Sequence, residues 1–128
     1  MAKVDLKAAK SEFDGWLSFK RIKESKRKQN DSFEEIIVDA IVNGDLSIDS
    51  NKVMTLKIVD HESLKELKFK PRIKVRELNI KLKPFKSDDA DGRILAYIAA
   101  ITDQNTGIIS GLYTEDYTVC QAIAMYFL

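Results

Sequence analysis

The chain has 128 residues, 45% of them hydrophobic, with 21 basic and 20 acidic side chains and a formal net charge of +1. That length suits one domain, which buries about two thirds of the surface exposed by its unfolded chain and needs no metal or disulfide to hold it. Net charges of +5, −4, +5 and −5 over residues 1–30, 31–70, 71–86 and 87–128 form alternating blocks suited to pairing within the fold or across an interface, unlike the single basic face of a nucleic-acid binder.

The first predicted element is a helix from Asp5 to about Lys28. Leu6, Ala9, Phe13, Trp16 and Leu17 recur on one face, and Gly15 costs it up to about 1 kcal/mol relative to alanine. The stripe fades into the basic run Lys20 to Lys28, which reads best as a solvated helix end and second as a contact for phosphate or an acidic partner. A second helix is expected over residues 33–43. Ser32 and Glu35 have the spacing of a capping box, Phe33, Ile36, Ile37, Ala40 and Ile41 form its apolar stripe, and Gly44 sits where a left-handed stop is wanted.

The period then changes toward two. Met54, Leu56 and Ile58 alternate with polar residues, as do Leu67 and Phe69 after the polar stretch Asp60-His61-Glu62-Ser63, which predicts a β-hairpin with one wet face. Pro71 ends it, because proline cannot donate to the ladder. Residues 72–82 fit both a helix, through Val75, Leu78 and Leu82, and a strand, through Leu78, Ile80 and Leu82. Pro84 stops that element. Ser87 to Asp91 supply caps and an acidic first turn for a helix at 89–102, with Ile94, Tyr97, Ile98 and Ile101 on its buried face.

A polar turn at 103–107 leads through Ile108, Ile109 and Leu112 to Thr114, a good N-cap for a last helix running to the end. In that helix Tyr117, Cys120, Ala124 and Phe127 line one side, and Val119, Ile123 and Tyr126 another. No lysine or arginine follows Arg93, and beyond it the only charges are Asp103, Glu115 and Asp116. A helix apolar nearly all round is buried, either inside its own domain or against a partner.

Little points to catalysis. His61 and Cys120 are the only histidine and cysteine, one in a predicted turn and the other on an apolar helix, so no nucleophile–base pair is expected. Asp88, Asp89, Asp91 and Gly92 superficially suggest a calcium loop, but Ile98 falls where its bidentate glutamate belongs, which makes them helix caps. The five glycines are scattered singly, without a phosphate loop. No cofactor or metal site is expected. Cys120, being alone, rules out an internal disulfide and makes an intracellular location the default. The first residues lack the apolar core of a signal peptide, and no apolar run nears the roughly 20 residues that span a bilayer.

Over residues 53–128 the chain resembles the small tail assembly chaperones of tailed bacteriophages. The resemblance is carried by the strand closing at Leu67-Lys68-Phe69-Lys70-Pro71, then Val75-Arg76-Glu77-Leu78, the helix Ile94 to Thr102 behind Asp88 to Asp91, Ile108-Ile109-Ser110-Gly111-Leu112, Asp116-Tyr117 and the final Tyr126-Phe127-Leu128. It implies a helix at 74–82 and a non-enzymatic protein of the host cytoplasm. Such a protein coats the apolar, helical tape measure protein and hands over to tail tube subunits.

The expected architecture is α+β and mainly helical, with a helical N-terminal extension at 1–45 and a chaperone-like domain at 46–128 that contains one β-hairpin and a C-terminal helical bundle. The partner-binding candidates are Ile123, Met125, Tyr126, Phe127 and Leu128, with Trp16 and Leu17 of the first stripe. Self-association is open, and a membrane is not expected. Two other readings remain: a baseplate hub component retained in the virion, and a small nucleic-acid binder using Lys20 to Lys28 and Arg72 to Lys86. The latter stretches lack the aromatic interleaving of a single-strand platform.

Overall fold

A computed structural model describes residues 3–61 and 63–128. Glu62 of the predicted hairpin turn lies outside the described residues, as do Met1 and Ala2. The fold is α+β and mainly helical, with helices packed on a three-stranded antiparallel sheet.

Helix α1 spans Leu6–Phe19 and is N-capped by Asp5, whose carboxylate accepts from Ala8 N at 2.8 Å. It does not continue to Lys28. Arg21 takes a left-handed φ of 58°, while Ile22 N donates to Leu17 O and Arg21 N to Ser18 O, the paired bonds of a Schellman stop. Arginine is an uncommon residue for that backbone region, so the stop has no glycine to announce it. Helix α2, Glu24–Gln29, follows as a separate turn-and-a-half.

Helix α3 spans Asp31–Val42. The predicted capping box does not form, because Ser32 lies inside the helix and the N-cap is Asn30, which makes no side-chain cap bond. Its carboxamide instead donates to Met125 O at 3.3 Å. The other end matches expectation: Gly44 has φ 82°, Gly44 N donates to Ile41 O, and Asp45 N donates to Ala40 O.

Strands β1, β2 and β3 span Leu46–Ile48, Met54–Lys57 and Glu66–Phe69. β2 and β3 are the predicted hairpin. β1 is an additional edge strand, too short to announce itself by alternation. Leu46 pairs with Leu56, Met54 with Phe69 and Leu56 with Leu67, so one sheet face is a continuous buried apolar patch. At the first turn the Asp49 carboxylate accepts from Asn51 N and Val53 N.

The ambiguous stretch is helix α4, Val75–Leu82. Its start is fixed by Glu77, which accepts from Lys74 N at 3.1 Å and from the Lys70 ammonium at 2.6 Å. None of its residues is fully buried, and it lies on α5, Ala90–Thr102. Asp89 caps α5 through Gly92 N at 2.9 Å, the role predicted for the acidic cluster. Ile98 and Ile101 are fully buried, whereas Ile94 and Tyr97 are only half-buried.

The segment before the last helix holds a short helix of its own, α6, Thr106–Ser110, capped by Asn105. Helix α7 spans Thr114–Ala124; its N-cap is Tyr113 rather than Thr114, and it stops before the chain ends. Tyr126 N and Phe127 N then donate to Ile123 O and Ala124 O in a tightened final turn.

α7 packs between α3 and α5, α5 against β3, and α1 and α3 against β1. One hydrophobic cluster joins Phe13 and Trp16 of α1 to Ile37 and Ile41 of α3, Leu56 and Phe69 of the sheet, and Ile123 and Tyr126 at the C-terminus. Residues 1–45 thus share a core with 46–128.

Candidate functional site

The sequence-nominated residues come together in one corner, where the end of α1 meets the C-terminal turn. Trp16 stacks with Phe13 at 5.7 Å between centroids. Tyr126 meets both rings edge-on at 5.5 and 6.0 Å, and Phe127 lies 6.1 Å from Trp16. These separations suit attractive aromatic pairs. The Tyr126 hydroxyl donates to Asn30 O at 3.1 Å, so α3 and the C-terminal turn hold each other through that bond and the Asn30 carboxamide. Burial, with the Glu34 carboxylate nearby, pushes the Tyr126 phenol far above its ordinary pKa of 10.0.

Most of the nominated residues are core, not surface. Trp16, Leu17, Ile123 and Tyr126 are buried, with 1%, 4%, 0% and 2% exposure. They form the floor of the corner and are not open to a partner in this fold. Met125 and Phe127 are half-buried, and Leu128 is 43% exposed. Trp16, Leu17 and Ile123 are taken up by the core that α1, α3 and α7 share, and the tightened turn after Ala124 sets Tyr126 against Phe13 and Trp16. Trp16 Nε1 is buried with no hydrogen-bond partner among the described residues, a feature that costs about 1–3 kcal/mol in folded proteins.

Two clefts flank the exposed rim. One, about 380 Å³, runs between Lys26, Asn30, Phe33, Met125 and Leu128. The other, about 290 Å³, is lined by Lys20, Arg72, Val75, Leu78, Tyr97 and Phe127, among others. Lys20 is the hinge between the cleft and the aromatic floor. Its ammonium sits 3.4 Å from the Phe127 ring centroid and 5.5 Å from that of Trp16, and donates to Pro71 O at 2.9 Å. Burial, together with the neighbouring Arg72 and Lys26, lowers it from 10.5 to about 8. Arg72 lies 4.2 Å from the Phe19 ring centroid and donates to Phe19 O at 3.0 Å. Among the described residues neither cation has a carboxylate within 4.0 Å.

The basic run therefore does not behave as one solvated helix end. Arg27 is pinned by both oxygens of Glu34, at 2.8 and 3.0 Å, and by Asp14 at 2.6 Å, which raises its pKa further above the ordinary arginine value. Charge pattern alone places Lys20 with the solvated cations of the run, or second with a contact for phosphate or an acidic partner. The signal that finds it is spacing, since Lys20, the C-cap of α1, stands four residues after Trp16 and so reaches that ring's face.

The residues considered for catalysis have structural tasks. His61 Nδ1 accepts from Ser63 N and Leu64 N at 3.2 and 3.0 Å, holding the β2–β3 connection. Cys120 is fully buried, and burial with the Asp116 carboxylate pushes its thiol well above its ordinary range. Among the described residues no cluster of histidine, cysteine and carboxylate side chains could hold a metal ion, and no helix is long and apolar enough to cross a membrane. In comparisons with known proteins, no family model matches the chain, and no curated protein or solved structure matches it significantly.

Proposed function

We propose that this chain is a non-enzymatic tail assembly chaperone of a tailed bacteriophage, which holds the tape measure protein in the host cytoplasm until tail tube subunits assemble around it. The observation that carries the reading is the C-terminal rim. Met125, Phe127 and Leu128 stand part-exposed over an aromatic floor, between two clefts edged by Lys20, Lys26 and Arg72. A protein that shields an apolar helix needs adaptable apolar surface in grooves, and methionine and aromatic side chains supply it. The order of elements from β3 through α7 supports the same reading, because strand, proline, short helix and longer helix follow one another as in the chaperones that the sequence resembles.

The role of the C-terminus is narrower than the sequence suggests. Removing residues 125–128 takes away Tyr126, a core residue, so truncation reports on folding as well as binding. A cleaner test is to recover the tagged full-length chain from infected cells and identify what accompanies it, alongside proteomics of purified particles. The tape measure protein is expected with the chain, and the chain is expected to be missing from finished particles. Stoichiometric presence in particles would favour a hub component, and recovery without the tape measure protein would refute the chaperone reading.

A further inference from the structure

The cleft between the end of α1 and the start of α4 holds cations that have no carboxylate within 4.0 Å among the described residues. Among the described residues Lys20 has one acceptor, Pro71 O, and Arg72 has one, Phe19 O. Lysine offers three N–H donors and arginine five. Arg72 and Lys26 act on Lys20 as like charges. Glu77, the carboxylate on the adjoining helix, is already held by Lys70 at 2.6 Å and by Lys74 N. Lys20 and Arg72 thus face a recess that Lys74 also lines, with apolar walls from Ile73, Val75, Leu78 and Phe127 and the rings of Tyr97 and Tyr126 beside them. A partly desolvated cation with like-charged neighbours gains most from an arriving anion, because the desolvation is already in place before binding.

We propose that this cleft receives a carboxylate side chain carried on an apolar helical segment of a protein partner, with Lys20 and Arg72 as the recognising cations. The recess, about 290 Å³, is open to solvent, so it admits a side chain from a docked segment and does not enclose a separate small molecule as ligand pockets do. The surroundings specify the rest. The apolar walls and the neighbouring Met125–Leu128 rim suit hydrophobic residues on either side of the acidic one, at the i, i+3 and i+4 anchors of a helix in a groove. Arg72 offers the planar fork that matches a carboxylate, and Lys20 offers a point charge held in place by the Phe127 ring.

This inference rests on the binding role assigned to the corner but not on the partner's identity, so its test uses model peptides. Two labelled amphipathic helical peptides with the same apolar stripe, one with a central glutamate and the other with glutamine there, are titrated with the full-length protein and followed by fluorescence polarisation. The glutamate peptide is expected to bind about tenfold more tightly, the ratio corresponding to one charge-assisted contact. Lys20→Met and Arg72→Gln should each reduce that ratio, while Lys20→Arg should keep it. Inorganic phosphate should not displace the peptide. Equal affinity for the two peptides, no binding of either, or displacement by phosphate alone would overturn the proposal. A clear preference for glutamate without recovery of the tape measure protein from infected cells would instead leave the cleft standing and refute the chaperone reading.

Discussion

The aromatic corner around Lys20 and the polar corner around Arg27 belong to the same basic run, and they treat a cation in opposite ways. Arg27 joins α1, α2 and α3 through Asp14 and Glu34, with every carboxylate contact in place. Lys20, the right-handed C-cap of α1, lies over Trp16 and Phe127, where burial works against its charge. The first arrangement is what a structural ion pair looks like, with bidentate geometry and a third partner. In the second, a cation on an aromatic surface has no carboxylate within 4.0 Å among the described residues. Two residues equal in a charge count therefore have different surroundings: one ties helices together, and the other lies at the edge of an open cleft.

The largest effect expected from breaking this contrast is in the floor beneath Lys20. Trp16→Ala removes a fully buried ring that touches Phe13, Tyr126 and Phe127, and should destabilise the fold by about 3–5 kcal/mol, read from chemical denaturation. A loss under about 1 kcal/mol would mean that the corner is not part of the core.

Arg27→Met ranks next. It leaves Glu34, only 21% exposed at its side chain, without its bidentate partner. The site is part-exposed, so solvent screening reduces the penalty, and a loss of about 1–2 kcal/mol is expected in the same assay. Lys20→Met should change stability by less than about 1 kcal/mol, since release of a desolvated charge offsets the lost contact with the Phe127 ring. If Lys20→Met were the more damaging of the two, the assignment of structural and binding roles would be reversed.

A pH series sharpens the Lys20 half of the comparison. Its folded value of about 8 lies below the ordinary 10.5, so between those limits the unfolded chain binds the extra proton and stability rises with pH. The penalty on charged Lys20 is present in full below about 8 and is relieved as the pH climbs through that window. Wild type should therefore gain on Lys20→Met between these limits in paired unfolding curves. A constant difference across the window would show that Lys20 is not desolvated.

Much of the fold can be read from the residues because its signals are local. The α3 stripe, the Gly44 stop, the β2–β3 alternation and the Asp89 cap each follow from spacing within a few residues. The parts that escape local reading depend on distant partners or on unusual backbone. Asn30 takes the N-cap place ahead of Ser32 and turns its carboxamide to Met125 O, 95 residues away, and the break after Lys20 rests on an arginine in a conformation that normally signals glycine.

The site was half legible for the same reason. The apolar C-terminal residues could be picked out by composition, but whether each faces inward depends on a final turn that ends α7 at Ala124. The counter-ion of Arg27, by contrast, comes from helices on either side of it, and only the assembled fold separates it from Lys20.

The central claim is that the partner binds on the rim that the buried floor supports, and the most direct test is the capture of tape measure protein by full-length Leu128→Asp beside wild type. Leu128 is the most exposed residue of the corner's C-terminal turn, and surface substitutions usually change stability by no more than about 0.5 kcal/mol. A charge set in the apolar contact should reduce capture by about tenfold or more while the unfolding midpoint stays at the wild-type value. Undiminished capture by the folded variant would contradict the account and move the binding surface away from the C-terminal corner.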